Sequence, residues 1–520
     1  MWGLLIAVAL AGAGAARAET PPPFDPGKAA AAARIEDPAA ATRAYLESVP
    51  NDRREKTKAY ATGNYVLDVV DALWTVAVMA ALLGFGLSAR MRDRAERLTR
   101  RKPLQTAAYW VQFLVLTTVI GFPLALYRSY FREKAYGLLT QGFGDWMLDQ
   151  VKALGLGLLI GSLALAVLYG VLRRAPRTWW IWGAAVMIAF IIVAAALDPV
   201  FIEPVFNKFT PVHDEAIRRD ILALAKSRGV PADDVLETDI SRRSDIITAY
   251  VAGALGTTRV VIGDTTLRRC TRPEIRMIMG HEMGHYVLDH VWKGIAVSAV
   301  AVVLGSLFVR RAFGAAAARW PRLGVRGVSD VAGLPLLWLL LTVFLAVIAP
   351  ATNTWSRRLE LQADDFGLEA SHEPDAAATT FLKLGEYRDL DPNPLVEAIF
   401  YDHPSGRVRI RNAMEWKSAN RVIVSARSLS LSSLRDVRCG RGPLHPVDVP
   451  CAVDRDERQR TRGQPGLMDH LRGHVVEVTG PQLHPFALAL EDAPARDHGV
   501  RFVGRVPVLA HVDSLRRANQ

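Results

Sequence analysis

Six apolar segments separated by charged turns constrain this chain more than any other feature. They cover roughly residues 65–88, 104–127, 151–172, 179–197, 295–309 and 331–351. Most approach the ~20 residues that an α-helix needs to cross a bilayer, and 295–309 is the shortest. Packing six such runs into one soluble core is hard, because each needs apolar neighbours on every side. The expected architecture is mainly α: a polytopic membrane helix bundle with about six spanning helices. Half of the 520 residues are hydrophobic, less than a pure bundle would hold, so a sizeable polar part is expected too.

The net charge of +11 is clustered. Residues 89–102, "ARMRDRAERLTRRK", carry seven basic residues against two acids. The run lies between two apolar segments and is not interleaved with aromatic residues, which suits a cytoplasmic loop better than a nucleic-acid surface. "RRAPR" at 173–177 and the Arg-bearing stretch 310–326 fall on the same side. By the positive-inside rule that side is cytoplasmic, which leaves the polar segments 198–292 and 352–520 together on the other.

The first 18 residues form a short apolar run ending in Ala-Arg-Ala, a signal-peptide pattern with a cut after Ala18 or, alternatively, an uncleaved first helix. Residues 19–64 are Ala/Pro-rich and then charged, suiting a linker followed by a surface helix. Three cysteines, Cys270, Cys439 and Cys451, are too few for a disulfide framework. Cys439 and Cys451 are close enough in sequence to bridge in an exported tail. Around 246–251 and 259–262 lie β-branched, aromatic-containing runs with a Gly-bearing turn between them, a hairpin signal. Thr271-Arg-Pro-Glu274 matches a helix capping box.

The helix begun there contains "MIMGHEMGHYVLDH", residues 277–290. His281 and His285 are four apart, so both imidazoles project from one face and can share a metal ion. Glu282 sits beside them without ligating. A metal lowers the pKa of bound water, and Glu282 takes its proton as the water attacks a carbonyl. Gly280 and Gly284 leave room for a backbone or a substrate. A catalytic zinc needs a third protein ligand. On a continuous helix His290 lies roughly 500° beyond His285, off the metal face, and Asp289 reads as an ordinary helix residue. After the last apolar segment comes "NTWSRRLELQADDFG", 353–367. Glu360 and Asp364 share a helical face there. Glu360 completes a His-His-Glu set, while Asp364 either orients a ligand histidine or acts on the substrate. The polar residues flanking the motif, Arg272, Glu274, Arg276 and Lys293, disfavour a cleavage site inside a spanning helix. Intact Glu282 disfavours a non-catalytic, chaperone-like membrane protein that merely keeps the fold.

These motifs resemble the integral-membrane zinc metallopeptidases of the CAAX prenyl protease (a-factor-converting) type, a gluzincin family. The likeness extends to "DPVFIEPVFNKFTPV" (198–212), "SRRSDIITAYVAG" (241–253), "NTWSRRLELQAD", "HPSGRVRI" (403–410) and "REKAYG" (132–137), covering about residues 65–416. It implies one zinc ion on His281, His285 and Glu360, with Glu282 as base and Asp364 as a second acidic residue often described as a proton donor. His403 and Arg409 would line the cleft, and Thr248-Ala249-Tyr250 would be an edge strand pairing with substrate backbone. The family usually has Asn where Thr248 stands. The expected organisation is a signal peptide at 1–18, an N-terminal segment at 19–64 and a membrane domain at 65–207. A zinc metallopeptidase domain with two membrane helices follows at 208–416, then an unassigned tail at 417–520. Expected partners are the lipid bilayer and a membrane-associated peptide or protein substrate, with no nucleic acid. The expected location is a bacterial inner membrane, with the zinc domain on the periplasmic side.

Overall fold

The computed structural model describes residues 22–252 and 258–420. The expected signal peptide, Cys439, Cys451 and the tail beyond 420 lie outside the described residues.

The Ala/Pro-rich segment expected as a linker is helical. Helix α1 (Pro26–Ala32) starts at Asp25, whose carboxylate accepts from the Gly27 and Lys28 N–H groups. Helix α2 (Pro38–Glu47) starts at Asp37, which accepts from Ala40 N–H. Asp-Pro supplies a capping oxygen and then a residue pre-set for the first helical position, and the alanines that follow are the best helix formers. Their apolar faces (Ala32, Ala41 and Tyr45) join one core with Met277, Leu368 and Phe381. The N-terminal segment is thus part of the polar domain.

Helix α3 (Asn51–Gly84) fuses the expected surface helix to the first span in 34 residues. A short basic helix, α4 (Leu87–Leu98), leads to α5 (Lys102–Leu126), α6 (Phe143–Arg174) and α7 (Trp179–Leu197). Among the described residues six helices are long and apolar enough to cross a membrane: α3, α5, α6, α7 and two later in the chain. Their outer surfaces carry apolar side chains with no protein cover: Leu159 is 71 % exposed and Val347 74 %. In water that would be a large unfavourable patch, and in lipid it is the matched solvent.

The three basic loops meet at one end of the bundle. Arg92 of α4 pairs with Asp330 at 2.7 Å, Arg326 pairs with Glu96 at 3.0 Å, and the Arg310 guanidinium lies over the Trp180 ring.

At the opposite end stand α8 (Glu215–Ser227) and a four-stranded sheet of β1 (Phe209–Pro211), β2 (Val235–Thr238), β3 (Ala249–Ala252) and β4 (Arg259–Gly263), in the order β1-β2-β4-β3. The expected hairpin is the antiparallel β3–β4 pair, with Tyr250 opposite Val261, and it leaves β3 at an edge. Helix α9 (Arg272–Val287) carries the histidine motif, and the Glu274 carboxylate accepts from Thr271 N–H as the capping box requires. The same carboxylate, buried, binds Lys383 Nζ at 2.7 Å, tying α9 to α12 (Pro374–Leu384). Helix α10 (His290–Arg319) is a full 30 residues, so the short fifth apolar segment is the middle of a longer helix. Helix α11 (Leu334–Ser371) is one 38-residue element, not a span followed by a separate helix. Glu360 lies 26 positions along it, about 39 Å at 1.5 Å per residue, past the ~30 Å of a bilayer's apolar core. Helix α13 (Gly406–Ala419) closes the domain.

Candidate metal centre

Two helices form the centre by close backbone approach. A Cβ on Gly280 would sit 3.2 Å from the Gly367 Cα, and one on Gly367 would sit 2.9 Å from the His281 nitrogen. What approaches the glycines of the motif is therefore the backbone of α11. This contact brings Glu360 beside His281 and His285, residues 75 and more positions away in sequence.

His281 Nε2 and His285 Nε2 are 3.1 Å apart. Glu360 places Oε2 3.5 Å from the first and Oε1 3.5 Å from the second. Bonds of about 2.05 Å at tetrahedral angles put neighbouring ligand atoms about 3.3 Å apart, so the triangle has the dimensions of a zinc-type site. Glu360 Oε2 is also buried without a hydrogen-bond partner. A lone carboxylate oxygen in that condition is costly unless a cation meets it. Both observations fit a metal ion on His281, His285 and Glu360, the only group of at least three such ligands among the described residues.

Each histidine is oriented from behind. Asp364, 1 % exposed, holds His281 Nδ1 at 2.8 Å. Both its oxygens also receive the buried Arg409, Nε at 2.8 Å and Nη2 at 2.5 Å. Both Asp364 oxygens are thus engaged by Arg409, and Oδ1 also holds His281. Arg409 also packs over the Phe381 ring, 4.2 Å from its centroid. His403, partly exposed, reaches Glu360 Oε2 at 3.4 Å through Nε2 and Asp402 at 2.8 Å through Nδ1. It sits at the edge of the centre.

Two expectations about the end of α9 fail. Asp289 is not an ordinary helix residue: its φ of 57° ends the helix and starts α10. Aspartate tolerates this left-handed conformation better than most side chains. The break turns His290 back toward the centre, where its Nδ1 lies 3.0 Å from His285 Nδ1 and its Nε2 3.2 Å from Gln362 Oε1. His290 is not one of the three ligands, but it backs one of them. Its contact is invisible on the assumption of a continuous helix, and Gln362 carries no motif at all.

Thr248 also departs from expectation. Ala249 and Tyr250 lie on the edge strand, but Thr248 precedes it. Its N–H donates to Thr266 Oγ1 and its carbonyl accepts from Gly263 N–H and the Thr266 hydroxyl. Those groups are spent within the domain, which leaves strand pairing to Ala249 and beyond. Tyr250 donates its hydroxyl to Glu203 at 2.9 Å, anchoring the strand to the membrane half.

Electrostatics divide the site. Burial alone would lower the His281 imidazole, yet the Asp364 and Glu360 carboxylates outweigh it and raise its pKa to about 10. Burial and the charge of His281 push His285 down to about 3. Desolvation raises the Glu282 carboxyl to about 7, the range in which a general base works best near neutrality.

A His-His-Glu centre with a carboxylate beside it, at the end of a bundle of membrane-length helices, defines a membrane metallopeptidase. Residues 211–417 match the model of peptidase family M48, and residues 36–208 match the model described as CAAX prenyl protease N-terminal, five membrane helices. The chain belongs to the M48 family and is an integral membrane protein. It is 32 % identical over 345 residues to the uncharacterized metalloprotease YhfN of Bacillus subtilis, covering 65 % of this chain and 80 % of that one. The CAAX prenyl protease 1 of Saccharomyces cerevisiae is 27 % identical over 307 residues, 56 % of this chain and 68 % of that protein. The crystal structure of S. mikatae Ste24p shares the fold, with a TM-score of 0.62, 20 % identity and coverage of 74 % of this chain and 93 % of that one.

Proposed function

We propose that the metal is zinc, held by His281, His285 and Glu360, and that the protein cleaves membrane-associated polypeptides internally. The observation that carries this reading is the meeting of two Nε2 atoms and a buried carboxylate oxygen that accepts no hydrogen bond, at tetrahedral-edge spacing. Two imidazoles and a carboxylate are the donor set of zinc hydrolases. When bound, such an ion polarises the scissile carbonyl and lowers the pKa of a water molecule it carries. Glu282 takes the proton of the attacking water and passes it to the leaving nitrogen. Asp364 and Arg409 hold His281 in one orientation. His403 assists at the cleft edge, and the edge strand from Ala249 pairs with the extended substrate backbone.

The basic loops at the far end of the bundle support a periplasmic placement of the centre in a bacterial inner membrane. A centre on that face meets exported chains rather than cytosolic ones, so membrane-bound or misfolded exported polypeptides are the better substrate class here. We divide the chain into a membrane half at 65–207 and a peptidase half at 208–416; the two family models change over near residue 210, and the first of them begins at residue 36.

The test is Glu282→Gln in the full chain. It should keep its zinc and lose hydrolysis by about 100- to 10,000-fold, the usual worth of a general base. A variant that processes native substrates as well as the parent would sink the peptidase reading in favour of a non-catalytic one.

A further inference from the structure

Residues 151–197, most of α6 and all of α7, hold Lys152, Arg173, Arg174 and Arg177 and no acid. The three arginines lie where α6 turns into α7, at the end of the bundle away from the metal centre. Elsewhere at that end arginines meet carboxylates, Arg92 with Asp330 and Arg326 with Glu96. Arg173 instead turns inward, donating to Thr106 Oγ1 at 2.8 Å and lying over the Tyr169 ring. Arg174 and Arg177 are exposed and form no ion pair among the described residues.

Arg174 does not simply reach out past the end of its helix. A Cβ placed on Gly170, one turn back into the span, would sit 3.9 Å from its Nη1. Beside it is an open groove of about 440 Å³ between the two helices. Val171 and Arg174 border it from α6, and Trp182, Ala185, Val186 and Ala189 from α7. Arg174 is the one charged residue in this lining. Trp182 is 56 % exposed, so the groove opens on the outside of the bundle, where a membrane-spanning chain meets lipid. From Trp182 to Ala189 it follows α7 for about 10 Å.

We propose that this groove binds one anionic glycerophospholipid, with an acyl chain against Trp182, Ala185 and Ala189 and the phosphate on Arg174. An unpaired guanidinium at the rim of an apolar surface in a membrane is costly until an anion meets it. The guanidinium fork matches two phosphate oxygens at once. The exposed indole suits the interfacial level at which head groups lie. Basic clefts between spanning helices hold anionic head groups in this way. A zwitterionic lipid brings its own ammonium beside the phosphate and gains less from Arg174. An acidic protein segment would supply the charge and leave the apolar groove unfilled.

The experiment counts lipid adducts on the detergent-solubilised full chain by native mass spectrometry. The probes are phosphatidylglycerol and phosphatidylethanolamine with identical acyl chains. The parent should prefer phosphatidylglycerol by about tenfold, the worth of one charge-assisted hydrogen-bonded contact. Arg174→Gln should abolish that preference. Arg94→Gln, which removes the same charge from the outer face of α4, should keep it. Ala189→Phe fills the groove on an exposed face and should weaken phosphatidylglycerol about tenfold while both arginines remain. Added phosphatidylglycerol should raise the melting temperature of the parent and of Arg94→Gln, but not of Arg174→Gln. Melting temperatures equal to the parent's in lipid-free detergent establish that the variants are folded. Equal losses in Arg174→Gln and Arg94→Gln would reduce the effect to diffuse charge and overturn the site. Unchanged binding in Ala189→Phe, or displacement of the lipid by an equal concentration of glycerol phosphate, would overturn the acyl groove.

Discussion

His285 and His290 face each other through their Nδ1 atoms at 3.0 Å, and this contact determines which nitrogen of His285 meets the metal. Gln362 Oε1 can only accept, so His290 Nε2 donates to it and His290 Nδ1 is left as an acceptor. His285 must then donate from Nδ1, and its Nε2 lone pair points at Glu360 and His281. Asp364 does the same for His281. Removing the support from His285 should weaken metal binding about 10- to 100-fold, as loss of such partners usually does. We expect that loss for His290→Ala, measured by competition with a chelator of known affinity. His290→Gln, which keeps an acceptor, should recover part of it. Equal affinity in the parent and His290→Ala would remove His290 from the centre.

Arg409 and Asp364 form a buried pair, and its two halves should fail unequally. Arg409→Leu leaves the Asp364 carboxylate buried with only His281 to answer its charge, a loss on the order of 3–5 kcal/mol. Asp364→Asn combined with Arg409→Leu removes both charges and should cost less than Arg409→Leu alone. Thermal melts of the two single variants and the double variant measure this coupling. Strictly additive costs would mean that the pair contributes nothing beyond packing.

Much of this centre is legible in the sequence because its parts are local. H-E-x-x-H offers two candidate ligands and a candidate base by helical spacing alone, and Glu360 and Asp364 repeat the same four-residue logic on a second helix. What is not legible depends on where helices end or join. The break at Asp289 comes from a positive φ that nothing in "YVLDHVW" announces, and it decides the role of His290. Gly367 stands outside the metal-ligand pattern, yet it is what lets α11 approach α9 closely enough to deliver Glu360. Residues 22–50 show a limit of another kind: two Asp-Pro helix starts are present there, and an Ala/Pro-rich composition masks them.

Cys270 offers a pH-dependent check on the packing of the peptidase half. Desolvation first, and the Glu274 carboxylate second, raise its thiol from 9.0 to about 12. At pH 8 only about one such thiol in 10,000 is thiolate, the reactive form. With Cys439 and Cys451 changed to Ser, iodoacetamide should leave the folded protein unlabelled over a time in which the unfolded chain reacts fully. The sign for stability follows. A pKa raised on folding favours the protonated thiol, so this contribution is intact below about pH 9 and is lost as pH rises from 9 toward 12. Rapid labelling of folded protein at pH 8 would mean that the α9–α12 junction opens readily.

The orientation of the bundle yields the sharpest test of where this peptidase works. The first and third basic loops are joined at one end by the Arg92–Asp330 and Arg326–Glu96 pairs, Arg310 lies over the Trp180 ring just past the second, and the metal centre stands at the other end. Loops this rich in Arg and Lys are retained on the cytoplasmic side, so the centre should face outward. Alkaline phosphatase folds only where its disulfides can form, which makes it a reporter of export. Fused after Asn420, it should be active in intact cells, and fused within the basic loop at Pro176 it should be inactive. Replacing Arg90, Arg94, Arg97, Arg100 and Arg101 with Gln should reduce the contrast between the two fusions, because it removes most of the retaining charge from the first loop. The reverse pattern in the parent chain would place the centre in the cytoplasm and make cytosolic lipidated chains its accessible substrates.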